Sequence, residues 1–216
     1  MTTALATDWR ASIEHCLRAG IPDMALRNCH AVGVDSIVLG IEVDDEGRKL
    51  SMTRVFVAHH DRHELDHLWR EDGHYIIGVH NHRYPLTIDP VVGELINHEV
   101  TLGEPGAALL YEFKFQSGIT DELDIVPTGN YGIADAYNRS LVPGDSHYME
   151  ATDLHTVVVP KVGVLSAWMV TEGPGVMESF MYSMIPDPVI DPTGMYLPLA
   201  KIEAERVLDR VMEEIA

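Results

Sequence analysis

From Ser36 onward the chain is cut into short apolar runs of β type, and Gly, Pro, Asn or Asp stands in most of the gaps. A parallel α/β fold needs a helical segment between successive strands, and no such alternation is present. Helical spacing is confined to the two ends. The pattern therefore predicts an all-β sandwich or small barrel of about eight or nine strands with a helix at each terminus. The runs are Ile37 to Val43, its hairpin partner Leu50 to Ala58 across the turn Asp44 to Gly47, then Tyr75 to His82, Leu86 to Val92, Leu95 to Leu102, Leu109 to Phe115, Tyr137 to Val142, His155 to Val159 and Val164 to Thr171. At the amino end Asp8 or Thr7 can cap a helix with Trp9, Ile13, Cys16 and Leu17 near one face, and Gly20-Ile-Pro22 stops it. At the other end Ile202, Val207, Val211 and Ile215 recur at rough helical spacing. No repeat or linker divides the 216 residues. One domain is expected, with a helical segment over 1–35, a β core over 36–174 and an extension over 175–216 that ends in a helix.

Charge removes several function classes. Lys and Arg total 15 against 34 Asp and Glu, and 15 − 34 leaves −19 with histidine neutral. Such a surface repels phosphate backbones and anionic bilayers, so neither nucleic acid nor membrane is an expected partner. No apolar stretch reaches the roughly 20 residues of a membrane span. Met1 to Asp8 carries neither a basic region nor an apolar core, so no secretory signal is expected. Two cysteines, Cys16 and Cys29, cannot build a disulfide framework; buried thiols in a reduced, cytoplasmic protein are the expectation.

Function is to be sought among the histidines, because eight of the twelve fall between His59 and His98. On a strand, His80 and His82 in Gly78-Val-His-Asn-His82 point to one face and can share a metal ion. A third ligand can come from Gly144 to His155, where the Pro143-Gly144 turn leads through an extended stretch into His155 and Thr156 to Val159. Tyr84 shares the parity of the histidine pair if that strand continues. His98 lies on a face with Ile96 and Val100, either as a group supporting the site or as an ordinary hydrogen-bonded histidine. His63-Glu-Leu-Asp-His67 matches the H-E-x-x-H spacing of zinc peptidases. Asp66, however, puts a charge where that helix packs an apolar side, and the segment reads better as a solvated loop or short helix. Arg54 shares a face with Met52 and Phe56, which demands an anionic partner, either a substrate or one of the many acids.

The upstream H-x-H with a downstream P-G-D-x-x-Y-x(6)-H resembles the cupin superfamily, and within it most resembles the cysteine dioxygenase-type branch. The resemblance covers roughly Met52 to Pro174. It implies a double-stranded β-helix, a jelly-roll-like cupin barrel, with His80, His82 and His155 as ligands of one metal ion inside its mouth. Most cupins add a glutamate four or five residues after the second histidine; Leu86 and Thr87 stand there, so the implied site has three histidines alone. Iron(II) is the implied metal, and Zn, Ni or Mn also accept imidazole.

The resemblance further makes Arg54 the positional candidate for holding a substrate carboxylate, with Arg83 and Arg139 as weaker ones. Ile76, Phe113 and Trp168 are candidate apolar walls. The branch's cysteine near the histidine pair and its tyrosine beyond the last histidine have no counterpart, which leaves the substrate open. The expected activity is that of an iron(II) oxygenase using dioxygen on a small polar molecule, possible substrates being thiols or amino-acid-like compounds, without 2-oxoglutarate. A metal-dependent isomerase or hydrolase and a non-catalytic ligand-binding barrel are the alternatives. A homodimer is implied by the family's habit of pairing.

Overall fold

The computed structural model describes residues 8–21, 24–29, 33–59, 79–104, 109–115, 125–158, 165–175, 178–183 and 196–215. Among these the architecture is all-β, with a helix at each end. A seven-stranded antiparallel sheet runs in the order β13 (Leu197–Pro198), β1 (Ala25–Arg27), β2 (Val34–Val43), β3 (Lys49–Ala58), β11 (Ser166–Glu172), β5 (Leu86–Val92) and β9 (His147–Met149). A closed six-stranded barrel runs β10 (Leu154–Val158), β4 (Val79–His80), β12 (Phe180–Ser183), β7 (Leu109–Phe115), β8 (Ile125–Leu141) and β6 (Leu95–Gly103).

The turn chemistry read from the sequence is realised. Between β2 and β3, Asp44 accepts through Oδ1 from the amides of Glu46 and Arg48 at 2.9 and 2.8 Å. Gly47 adopts φ 78°, a left-handed conformation that favours glycine. Between β5 and β6, Gly93 has φ 73°, and a Cβ there would lie 2.8 Å from the Leu165 carbonyl oxygen.

Helix α1 (Trp9–Ala19) is capped by Asp8, whose carboxylate accepts from the Ala11 amide, and it ends at Gly20 with φ 91°. Ile13 and Cys16 face inward as expected. Helix α2 (Lys201–Ile215) is rotated from the expected stripe. Ala204, Leu208 and Val211 are buried, with Val207 and Ile215 flanking them, while Ile202 is exposed. The i, i+4, i+7 series that starts at Ala204 gives the more continuous contact with the sheet, because alanine allows the helix to approach closely.

Both helices cover one face of the seven-stranded sheet, packing on Ile37, Val55, Val57, Ala167 and Met169. Its other face carries Phe56, Ile88, Trp168 and Val170, which meet Leu95, Leu141 and Val157 of the barrel strands. Sheet alternation thus separates a helix-backed core from an interior layer between the sheet and the barrel.

Strands also lie outside the expected 36–174 core. β12 enters the barrel between β4 and β7, and β1 and β13 extend the sheet. These elements are two to four residues long, too short for period-2 alternation to register. The segment His60 to His74, with its H-E-x-x-H match, lies outside the described residues, as does Ile76.

Candidate metal centre

His80, His82 and His155 come together. One ring nitrogen from each lies within 4.8 Å of the others, and His80 and His155 are buried. The ring centroids are 4.7 to 5.2 Å apart. His80 is the direct cross-strand partner of His155, so both project from the same face. β4 ends at His80, and His82 is placed by its own backbone, whose amide donates to the Ala151 carbonyl at 3.1 Å. Asn81 pins the opposite side. Its Oδ1 accepts from the Phe180 amide at 2.6 Å, and its Nδ2 donates to the Glu178 carbonyl at 3.2 Å.

The downstream histidine is delivered by a crossing between layers. β8 belongs to the barrel; the turn at Pro143-Gly144, closed by the Asp145 amide on the Val142 carbonyl, sends the chain to β9 in the sheet. A second turn, in which Asp153 Oδ2 accepts from the Glu150 amide at 2.8 Å, returns it to the barrel at β10 with His155.

The three rings face the interior layer. His155, Val157, Leu95 and Asn97 share a side by register, and Leu95 and Val157 belong to the layer formed with Trp168 and Phe56. Val79 and Leu154, next to the histidines but on the other face, join Val100 and Tyr182 in a separate apolar cluster. The site therefore lies between sheet and barrel wall.

The donor set suits a cation. His155 Nε2 and His82 Nε2 are 3.2 Å apart. Neighbouring nitrogens on an ion with metal–nitrogen bonds of about 2.0–2.1 Å are separated by roughly 3 Å, so this pair already has ligand spacing. Either an N–H of one ring donating to the other nitrogen or a cation between two lone pairs satisfies nitrogens at this spacing. Leu86 is buried in the interior layer.

The other sequence candidates occupy different surroundings. Arg54 faces the interior layer opposite Val170, and its Nη2 lies 3.1 Å from Glu172 Oε1. Lys49 Nζ donates to the other oxygen of Glu172 at 2.9 Å and stands 3.2 Å above the ring of Tyr84. Tyr84 lies past the end of β4, in the bend that follows His82. His98 is paired with Asn138, Nδ1 to Oδ1 at 2.6 Å, and its register with Thr156 turns it away from the histidine cluster. Arg83 is exposed, and Arg139 is bound to Glu99. Trp168 stacks on Phe56 at 5.7 Å.

What sequence reading missed is the opposite face of β6. Asn97, fully buried, bonds His155 Nδ1 through Oδ1, and its Nδ2 donates to Glu99 Oε1 at 3.1 Å. The signal was present in Leu95-x-Asn97-x-Glu99, an inward series with an amide in its middle. Met181, fully buried and opposite His80, was likewise unassigned to the site.

Both thiols are buried. Burial pushes Cys16 up and Cys29 up to about 12, against an opposing contribution from Arg54 at Cys29.

Comparison with known proteins adds a distant likeness among solved structures. No family model matches the chain, and no curated protein does. Among solved structures, that of hydroxypropylphosphonic acid epoxidase from S. wedmorenis is similar at 10% identity with a TM-score of 0.35. The match takes in 68% of this chain and about half, 53%, of that one.

Proposed function

We propose that the protein is a mononuclear non-haem iron(II) oxygenase acting on a small polar substrate, thiol or amino-acid-like, without 2-oxoglutarate. The observation that carries this reading is the convergence of His80, His82 and His155, with no carboxylate in the group among the described residues. Bound there, iron(II) supplies a redox-active centre with open positions for a substrate donor atom and dioxygen. The chain does the rest. His80, His82 and His155 would hold the ion, and the interior layer of Phe56, Trp168 and Val170 would keep water from the reacting atoms.

Arg54 is the substrate hook in this reading. Arg54 and Lys49 bring two positive charges to the single carboxylate of Glu172, so the group retains one unit of positive charge on the interior side. A substrate carboxylate would compete with Glu172 for the Arg54 guanidinium, with the ring of Tyr84 lying against Lys49 in the same group. His98, facing away, acts only through the strand that carries it. We further propose a single domain, a cytoplasmic location and a homodimer.

Metal analysis of anaerobically purified protein, followed by oxygen-electrode screening of thiols, amino acids and diketones, tests the reading. One iron per chain and substrate-dependent oxygen uptake, both lost in His80→Ala, His82→Ala and His155→Ala, are expected. Turnover without oxygen uptake would replace the oxygenase with a metal-dependent isomerase or hydrolase. Binding without turnover in air with added iron(II) would leave a ligand-binding barrel.

A further inference from the structure

We infer that Asn97, oriented by Glu99, locks His155 as the Nδ1–H tautomer and so commits Nε2 as its only lone-pair nitrogen. The argument begins at Glu99, a group that accepts hydrogen bonds when ionised. Its Oε1 takes the Arg139 Nε–H at 3.0 Å, and His147 Nε2 stands 3.1 Å from the same oxygen. Asn97 meets that oxygen at 3.1 Å and must present its NH2 there, since the amide oxygen would place two acceptors face to face. The amide is thereby fixed, and Oδ1 is the atom left toward His155. An amide oxygen accepts only, so His155 Nδ1 must carry the proton.

Asn97 is completely buried and His155 nearly so, so no bulk water competes for either atom. Nε2 is then the acceptor aimed at His82 Nε2, 3.2 Å away. The chain from Arg139 through Glu99 and Asn97 to His155 makes Asn97 and Glu99 positioning residues for the ring. An inverted tautomer would put an N–H where the ion has to sit. The effect on metal binding rests on the function proposed above; the tautomer lock does not.

The test uses the full-length apoprotein labelled with 15N-histidine. Long-range proton–nitrogen correlation at about pH 8, above the ordinary imidazole range, distinguishes protonated from unprotonated ring nitrogens. His155, assigned by its loss in His155→Gln, is expected as pure Nδ1–H in the native chain and in Asn97→Asp, which keeps an acceptor. In Asn97→Leu it is expected to shift to Nε2–H or to a mixture. Titration with cobalt(II) alone should show about a 10–100-fold weaker affinity for Asn97→Leu. An Nε2–H or mixed His155 in the native apoprotein overturns the inference without recourse to any variant. So does a folded Asn97→Leu that retains pure Nδ1–H. A locked tautomer in a native protein that binds no cobalt(II) upholds the lock and removes the oxygenase reading.

Discussion

Replacing Glu172 by Gln should destabilise the protein more than removing either of its cationic partners. Glu172 receives Arg54 at 3.1 Å and Lys49 at 2.9 Å, and the three side chains are 13, 16 and 21% exposed. Breaking a buried ion pair by removing one member costs about 3–5 kcal/mol, chiefly because the remaining charge is stranded. Partial exposure puts Glu172→Gln near the lower figure, about 3 kcal/mol. Arg54→Met leaves the carboxylate paired with Lys49, so its cost should be about 1.5 kcal/mol, the lower end for a lost charge-assisted hydrogen bond. Urea unfolding with both arms of the comparison at one ionic strength measures the difference. A small carboxylate such as acetate should then restore part of the loss in Glu172→Gln, by about 1.4 kcal/mol at ten times its dissociation constant. Equal costs for the two variants, or no rescue by acetate, would refute the claim that two cations share one acid there.

Further consequences can be checked separately. Met181→Ala, at a fully buried position facing His80, should cost about 2–5 kcal/mol in the same unfolding assay. Neither Cys16 nor Cys29 should react with a thiol reagent at neutral pH until denaturant is added, because burial raises both thiols; rapid labelling of the native chain would contradict that. Burial holds His147 below its ordinary value of 6.5, with Arg139 assisting and Glu99 and Asp153 opposing. The folded state therefore binds fewer protons than the unfolded chain. Stability is retained above about pH 6.5 and declines as pH falls below it, and His147→Gln should flatten that part of the curve measured by thermal or urea melts.

The division between what was readable from residues and what was not follows the range of the forces involved. Local chemistry was legible. Asp44 to Gly47, Pro143-Gly144 and the Asp8 cap depend on a few neighbouring atoms, and the β-type runs that became β2, β3, β5, β6 and β7 extend over seven residues or more. The three histidines were legible for a related reason, because strand parity and a distinctive spacing survive without knowledge of register.

Register itself was not. Which face of β6 turns inward is decided by its pairing with β10 and β8, and that pairing selects Asn97 and Glu99 over His98. The partner of Arg54 is set by β11 lying beside β3, more than a hundred residues away in sequence, which brings Glu172 within reach. The strand β12 is four residues long and gains its identity only from β4 and β7 on either side. Side-chain periodicity is a property of the chain and can be read along it. Hydrogen-bond partners across a sheet belong to pairs of distant segments, and only folding makes them neighbours.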